Sequence, residues 1–244
     1  MNVKKEISSL NNDKLTITEF EKTLEIVFSK IPEEENELKF LVSSDIGFEI
    51  LNLKLSINIL LDRKHYTGIL SLIRTMMENH IYLKYILEKN SNKRSRAYQL
   101  NVYRDVKKQY DAQKKNKKLQ KMIAQDQWLK EQTDLYEQDE AKIKQYLKEL
   151  DSLYGHKLVP WYNDDGSTKG IYKLFERMGK SDWYDGIYRY LCMEAHGNNG
   201  LKHFEMLDNG MTKLKPTILN EKQISSISCK ILNETRKELA NLIS

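Results

Sequence analysis

The sequence predicts an all-α protein, and three observations carry that expectation. Ten glycines and three prolines interrupt 244 residues, too few for a fold built on tight turns. Lys, Glu and Leu, which favour helices, are abundant. Apolar residues recur at three- and four-residue spacings through several long stretches. The architecture expected is a helical bundle with a long charged helical hairpin arm. It forms one domain overall, divided into N-terminal bundle helices (1–92), the hairpin (93–154) and C-terminal bundle helices (155–244).

Residues 1–15 are polar and read as a short or frayed lead-in. The first helix spans 16–31, with Phe20, Leu24, Ile26, Val27 and Ile31 at helical spacing and Thr16 or Thr18 as its cap. Pro32 ends it. A long helix over 38–61 presents Phe40, Leu41, Ile46, Ile50, Leu53, Ile57, Leu60 and Leu61 as one wide apolar face, with Gly47 inside it. The turn at 62–65 leads into 66–88, the most apolar helix, which stops at Asn90-Ser91-Asn92. The connection is short, so these two helices should pair antiparallel.

Between Lys93 and Lys121 eleven Lys or Arg face two acids, Asp105 and Asp111. From Met122 to Asp151 the sign reverses, with eight acids against four lysines. Trp128, Leu129, Ile143, Tyr146 and Leu150 occupy apolar positions in that second half. Basic followed by acidic reads as a self-neutralising hairpin, or else as a nucleic-acid surface, with a tip near 114–121. Residues 155–170 hold Pro160, Gly166 and an Asp-Asp-Gly turn signal, so they read as a loop. Helices are expected over 171–178, over 182–195 (with Trp183, Ile187, Tyr190 and Leu191 inward) and over 220–243. Residues 201–217 read as irregular.

Composition excludes several classes. A net charge of +5 permits contact with nucleic acid or anionic surfaces without requiring it. Cys192 and Cys229 lie in predicted helices without CxxC or Cys/His spacing, which reads as two thiols in a reducing compartment. The longest membrane candidate, Ile46–Leu61, is broken by Glu49, Asn52, Lys54 and Asn58. No span is therefore expected, and the cytoplasm is the default location. No phosphate-binding glycine loop, HExxH, GxSxG or EF-hand pattern occurs, and neither metal nor cofactor is expected.

Candidate site residues must then be polar groups that helical periodicity forces inward. Arg74 and Glu78 stand four apart, about 40° from each other around the helix, either as a structural ion pair or as part of a site. His80 falls about 120° from Arg74 and about 160° from Glu78, so it reads as a packing or surface histidine. His196 ends YLCMEAHG, where the helix dipole favours an imidazolium and glycine-rich backbone follows. It is either a helix C-cap or the stronger catalytic histidine. Lys202 and His203 extend that cluster. Lys107, Lys108, Lys114, Lys115, Lys117, Lys118 and Lys202 are the candidates for contact with a polyanionic substrate.

RTMMENHIYLKYIL, with Arg74, Glu78, Tyr82 and Tyr85, and YRYLCMEAHG, with Tyr188 and His196, resemble an uncharacterised bacterial family, domain of unknown function 5677. The resemblance covers roughly residues 40–215. It implies a helical fold in which Arg74, Glu78 and His196 form one site across two helices. Cys192 stands where a Ser before the histidine is usual. RTMMENH also matches the R-x(4–6)-H pattern of the HEPN helical ribonucleases, a looser resemblance that implies toxin or phage-defence activity.

Two functions follow as expectations. One is a metal-independent RNA-cleaving or RNA-binding protein of defence or toxin type. Arg74 would hold phosphate, His196 would move a proton, Glu78 would orient either, and the lysines would bind the backbone. The other is a non-enzymatic interaction module, in which Arg74, Glu78 and His196 form a polar lock and the hairpin docks a partner protein or a second copy as a homodimer. A small-ligand sensor, with Trp161 and Tyr162 lining its pocket, is the third.

Overall fold

The computed structural model describes residues 3–31, 37–195, 204–214 and 219–244. The fold is all-α, as the scarcity of chain breakers predicts. The helices are α1 (Val3–Ser29), α2 (Glu37–Asp62), α3 (Ile69–Glu88), α4 (Ser91–Lys115), α5 (Lys117–Gln125), α6 (Gln127–Ser152) and α7 (Ile171–Arg177). A short α8 (Ser181–Trp183) passes through a π-helical turn (Tyr184–Tyr188) into α9 (Arg189–Ala195), and α10 (Glu221–Ile243) ends the chain. No helix among the described residues is long and apolar enough to cross a membrane.

The chain divides into two compact units, one of Met1–Lys89 with Ile171–Ser244, the other of Asn90–Gly170. The loop 155–170 therefore groups with the charged helices rather than with the C-terminal ones.

In the first unit α1, α2, α3 and α10 pack on one another, and α9 lies against α3. Side-chain pairs give their directions. Tyr66 bonds to Glu221, His80 to Thr235 and Lys84 to Glu238, a nearly constant offset that makes α3 and α10 parallel. Gly47 approaches Leu24 and Leu239, while Lys54 reaches Asp13 and Ser228, so α2 runs against both α1 and α10. Gly47 sits inside a helix because a Cβ there would lie 2.9 Å from Leu24 Cδ1 and 3.3 Å from Leu239 Cδ1. The helix forgoes propensity for close approach.

Helix α1 begins at Val3, well before the expected residue 16, so Thr16 and Thr18 lie inside it and do not cap it. What holds this polar segment in place is Asp13. Its carboxylate accepts from Lys54 Nζ at 3.0 Å, from Ser225 Oγ at 3.0 Å and from Cys229 Sγ at 2.6 Å. Lys54, which the sequence suggested as a break in an apolar run, is fully buried and donates also to Ser228 Oγ at 3.1 Å. Burial and Asp13 push the Cys229 thiol up to about 11, so it is a packed thiol and not a nucleophile.

Residues 204–214, expected to be irregular, instead form a two-stranded antiparallel hairpin, with Phe204 paired to Leu214 and Met206 to Thr212. Its turn is closed by Gly210 at φ +78° and by the Asn209 side chain, which accepts from the Met211 amide. This is Asx-turn chemistry, which polarity alone does not reveal. At the start of α10, Asn220 and Gln223 form a reciprocal capping box.

In the second unit α4 and α6 are antiparallel along a seam of Ala97, Leu100, Tyr110, Ile143 and Leu150, all buried. The hairpin tip is a helix of its own. Asn116 breaks the chain and caps α5, and Asp126 breaks it again and caps α6. The loop 155–170 packs on the start of α4, where buried Arg94 donates to Asp164 Oδ2 through Nη2 at 2.8 Å and Nε at 3.0 Å. Trp161 and Tyr162 are buried here, Trp161 edge-on to Tyr98 at 5.0 Å. Both belong to the core of the unit.

Asp13→Ala leaves the Lys54 ammonium buried without its counter-charge, and urea unfolding should show a loss of about 3 kcal/mol. Lys54→Met combined with Asp13→Ala should recover most of it, because a buried ion pair replaced whole by apolar groups costs little.

Candidate functional site

Helix α3 places its polar residues on different faces, and the structure gives each a separate surrounding. Arg74 Nη2 meets Glu78 Oε1 at 2.7 Å, with both side chains half-buried. Glu78 also accepts from the Tyr188 hydroxyl. The Arg74 guanidinium lies over the Tyr188 ring, 5.7 Å from its centre, and its Nε is buried with no hydrogen-bond partner among the described residues.

The third member comes from the π turn. Tyr-Asp-Gly-Ile-Tyr winds one residue wider than an α-helix, which rotates all that follows by about 100°. Tyr188 is thereby turned inward, where unbroken helical periodicity had put Ile187, and packs on Phe175 and Tyr184 at 4.9 and 5.2 Å. Burial and the neighbouring Glu78 carboxylate raise the Tyr188 pKa well above that of an ordinary phenol. For Arg74, burial works against the charge, but Tyr188 and Glu78 outweigh it and the guanidinium is held more firmly protonated. Each group thus stabilises its neighbour in one protonation state.

His80 takes no part in this cluster. It is fully buried, stacks on Trp183 at 5.4 Å and lies 3.1 Å from Thr235 Oγ1 through Nδ1. Thr235 already donates its hydroxyl proton to the Ile231 carbonyl, so the imidazole carries its proton on Nδ1 and donates it to Thr235. Nε2 is then a buried acceptor without a partner among the described residues. Burial first, and the nearby Lys180 second, lower its pKa to about 3. RTMMENH therefore does not make a joint phosphate site: Arg74 faces Tyr188 and His80 faces Trp183.

His196 and Lys202 lie outside the described residues, as does His203. Of the other candidate lysines, Lys107, Lys108 and Lys114 of α4 are engaged. Lys107 pairs with Asp111 at 2.7 Å and Lys108 with Asp105 at 3.1 Å. Lys114 lies 4.2 Å from the Tyr110 ring centre and 4.0 Å from Glu137. The arginines of the basic tract bridge to the acidic helix or the loop. Arg96 forms a two-pronged pair with Glu149 at 2.6 and 2.8 Å, and Arg104 reaches Asp151 and the Leu158 carbonyl.

Beyond Lys114 the pattern changes. Lys115, Lys117, Lys118 and Lys121 are exposed. Trp128, which periodicity placed among the apolar positions of α6, is 65 % exposed, and Met122 is exposed beside the lysines in the chain. The break at Asp126 resets the helical phase, so a periodicity carried across it misplaces Trp128. Among the described residues no three His, Cys, Asp or Glu side chains gather as metal ligands would.

Two measurements check these environments. A double-mutant cycle of Arg74→Ala and Glu78→Ala, read by urea unfolding, should give single losses of about 1–2 kcal/mol and a coupling above ~0.5 kcal/mol. For His80, the unfolded imidazole takes up a proton near pH 6.5 and the buried one only near pH 3. Between those values the unfolded state holds more protons, so acidification destabilises the fold. Below about pH 5.5 wild type should lose close to 1.4 kcal/mol per pH unit more than His80→Gln.

Comparison with curated proteins and with solved structures gave no match for this chain. A family of unknown function, DUF5677, matches residues 49–211. The match takes in α3, the charged helices, the π turn that carries Tyr188 and the first strand of the hairpin. The chain belongs to DUF5677, a family of unknown function.

Proposed function

We propose that the protein is an RNA-binding helical module, with its contact surface at the tip of the charged unit and with Arg74, Glu78 and Tyr188 as a polar lock rather than a reaction centre. One observation carries the binding half of this reading. Residues 115–125 contain four exposed lysines and no acid, and an exposed tryptophan follows three residues on. Lysines that have lost their counter-charges attract phosphate, and an exposed indole beside them offers a stacking face for an unpaired base. The stem lysines already have carboxylates close by, so the attraction is concentrated at the tip.

The lock half rests on closure. Glu78 is bonded by both Arg74 and Tyr188, and the two groups flanking it are pushed away from titration near neutrality. A phosphate would have to displace Glu78 from Arg74. A general acid or base needs a pKa near the working pH, and His80, fully buried and neutral, does not offer one.

Fluorescence anisotropy with a labelled 20-nucleotide single-stranded RNA tests this. Saturable binding is expected at low salt. The slope of log K against log salt should be about −2 to −3, as three or four neutralised phosphates give on a single strand. Lys115→Glu with Lys117→Glu and Lys118→Glu should abolish binding, and Trp128→Ala should weaken it about tenfold, the worth of one stacked base. No saturable binding, or a triple variant that binds like wild type, refutes the reading. The same RNA run on a gel tests the lock. Cleavage by wild type that is lost in a folded Arg74→Ala protein would make the cluster a site after all.

A further inference from the structure

Helix α2 is apolar on two sides, and only one of them is covered. Its inner side, with Ile46, Ile50, Leu53 and Ile57, is buried in the first unit. On its outer side Leu41, Phe48, Leu55 and Ile59 are 45, 57, 36 and 56 % exposed. Positions 41, 48 and 55 are one heptad apart and 59 follows by four, so all four fall along one line about 27 Å long. A seam at coiled-coil spacing is what one helix offers to another.

We propose that this seam is the interface of a homodimer in which α2 packs antiparallel on α2 of a second copy. The polar residues of the same face decide the partner and its direction. Between Leu41 and Ile59 the exposed Asp45, Glu49, Asn52 and Ser56 lie beside the apolar line, acids in its first half and neutral groups in its second, and Asp62, one heptad after Leu55, ends it. A parallel pair would set Asp45 beside the partner's Asp45 and Glu49 beside the partner's Glu49, which like charges oppose. An antiparallel pair centred at residues 50 and 51 reverses this. Asp45 then meets the partner's Ser56, Glu49 meets the partner's Asn52, and each carboxylate gains a hydrogen-bond donor. In that register Leu41 meets the partner's Ile59, and Phe48 lies between the partner's Asn52 and Leu55. The face is complementary to itself under a two-fold axis, as an isologous interface must be.

The area agrees. Four side chains of roughly 200 Å² each, exposed to the stated extents, offer about 400 Å² of apolar surface per copy. A standard interface buries about 800 Å² per partner, a little over half of it apolar. The seam therefore supplies the apolar share of one interface.

Sedimentation equilibrium of the full chain at about 10 μM should give a dimer. Phe48→Glu with Ile59→Glu, which adds charge beside Asp45 and Glu49, should give a monomer with unchanged helical circular dichroism. Both positions are exposed in the single chain, so loss of the dimer would not reflect loss of the fold. Cysteine cross-linking reports direction. An equimolar mixture of Leu41→Cys and Ile59→Cys proteins should yield a mixed disulfide dimer on mild oxidation, with Leu41→Cys alone and wild type remaining uncross-linked. A monomeric wild type, a dimer indifferent to the two glutamates, or efficient cross-linking of Leu41→Cys to itself overturns the proposal.

Discussion

The first unit depends on one ion pair that cannot be left half-made. Lys54 has no exposed surface, and an ammonium in that position without a counter-charge would cost several kcal/mol. Asp13 supplies the charge, and its remaining lone pairs are taken by Ser225 and Cys229 of α10. One carboxylate thus fixes the register of α1, α2 and α10 together. An apolar core alone would tolerate a slide of one helix past another, whereas a misplaced Asp13 strands Lys54. With those three set, α3 enters parallel to α10, and its polar residues acquire their partners.

Most of the helix pattern was legible in the sequence, because burial of an apolar stripe dictates a 3.6-residue period and the breakers were few. The ends of α2 and α10 fall within a residue of where periodicity and capping put them. The misreadings have physical causes that a period does not record. Helix α1 extends to Val3 because of a carboxylate whose partner lies 41 residues away. The hairpin at 204–214 rests on one asparagine turn. Trp128 was placed inside because the break at Asp126, made by a single capping side chain, is invisible to a sliding pattern.

The candidate site divides in the same way. That Arg74 and Glu78 share a face, and that His80 does not, follows from the helical angle and holds in three dimensions. That Glu78 is closed off by a tyrosine does not follow, because a π turn changes the phase of the helix just before the residue that matters. Gly186 within Tyr-Asp-Gly-Ile-Tyr was the local signal, a weak helix former at the point where the ladder widens. The role of the basic tract also changed on folding. Its arginines bridge the second unit together, and its exposed lysines are concentrated at the end of α4 and in the tip helix α5.

Helix α2 shows why hydrophobicity had to be separated into two questions. Read from the sequence, Leu41 joined Phe40, Ile46 and Ile50 as one wide face, and Phe48, Leu55 and Ile59 were not singled out. In the fold the inner line and the outer line are distinct. The inner line carries glycine and lysine, residues that make sense only against specific neighbours, Leu24 and Leu239 for one and Asp13 for the other. The outer line carries large apolar groups at regular spacing, with acids and neutral donors segregated beside it and Asp62 at its end. A core position is chosen for what it touches within the chain, and its irregularities record that. The regularity of the outer line, without such exceptions, is what a surface needs when the object it must fit is a copy of itself.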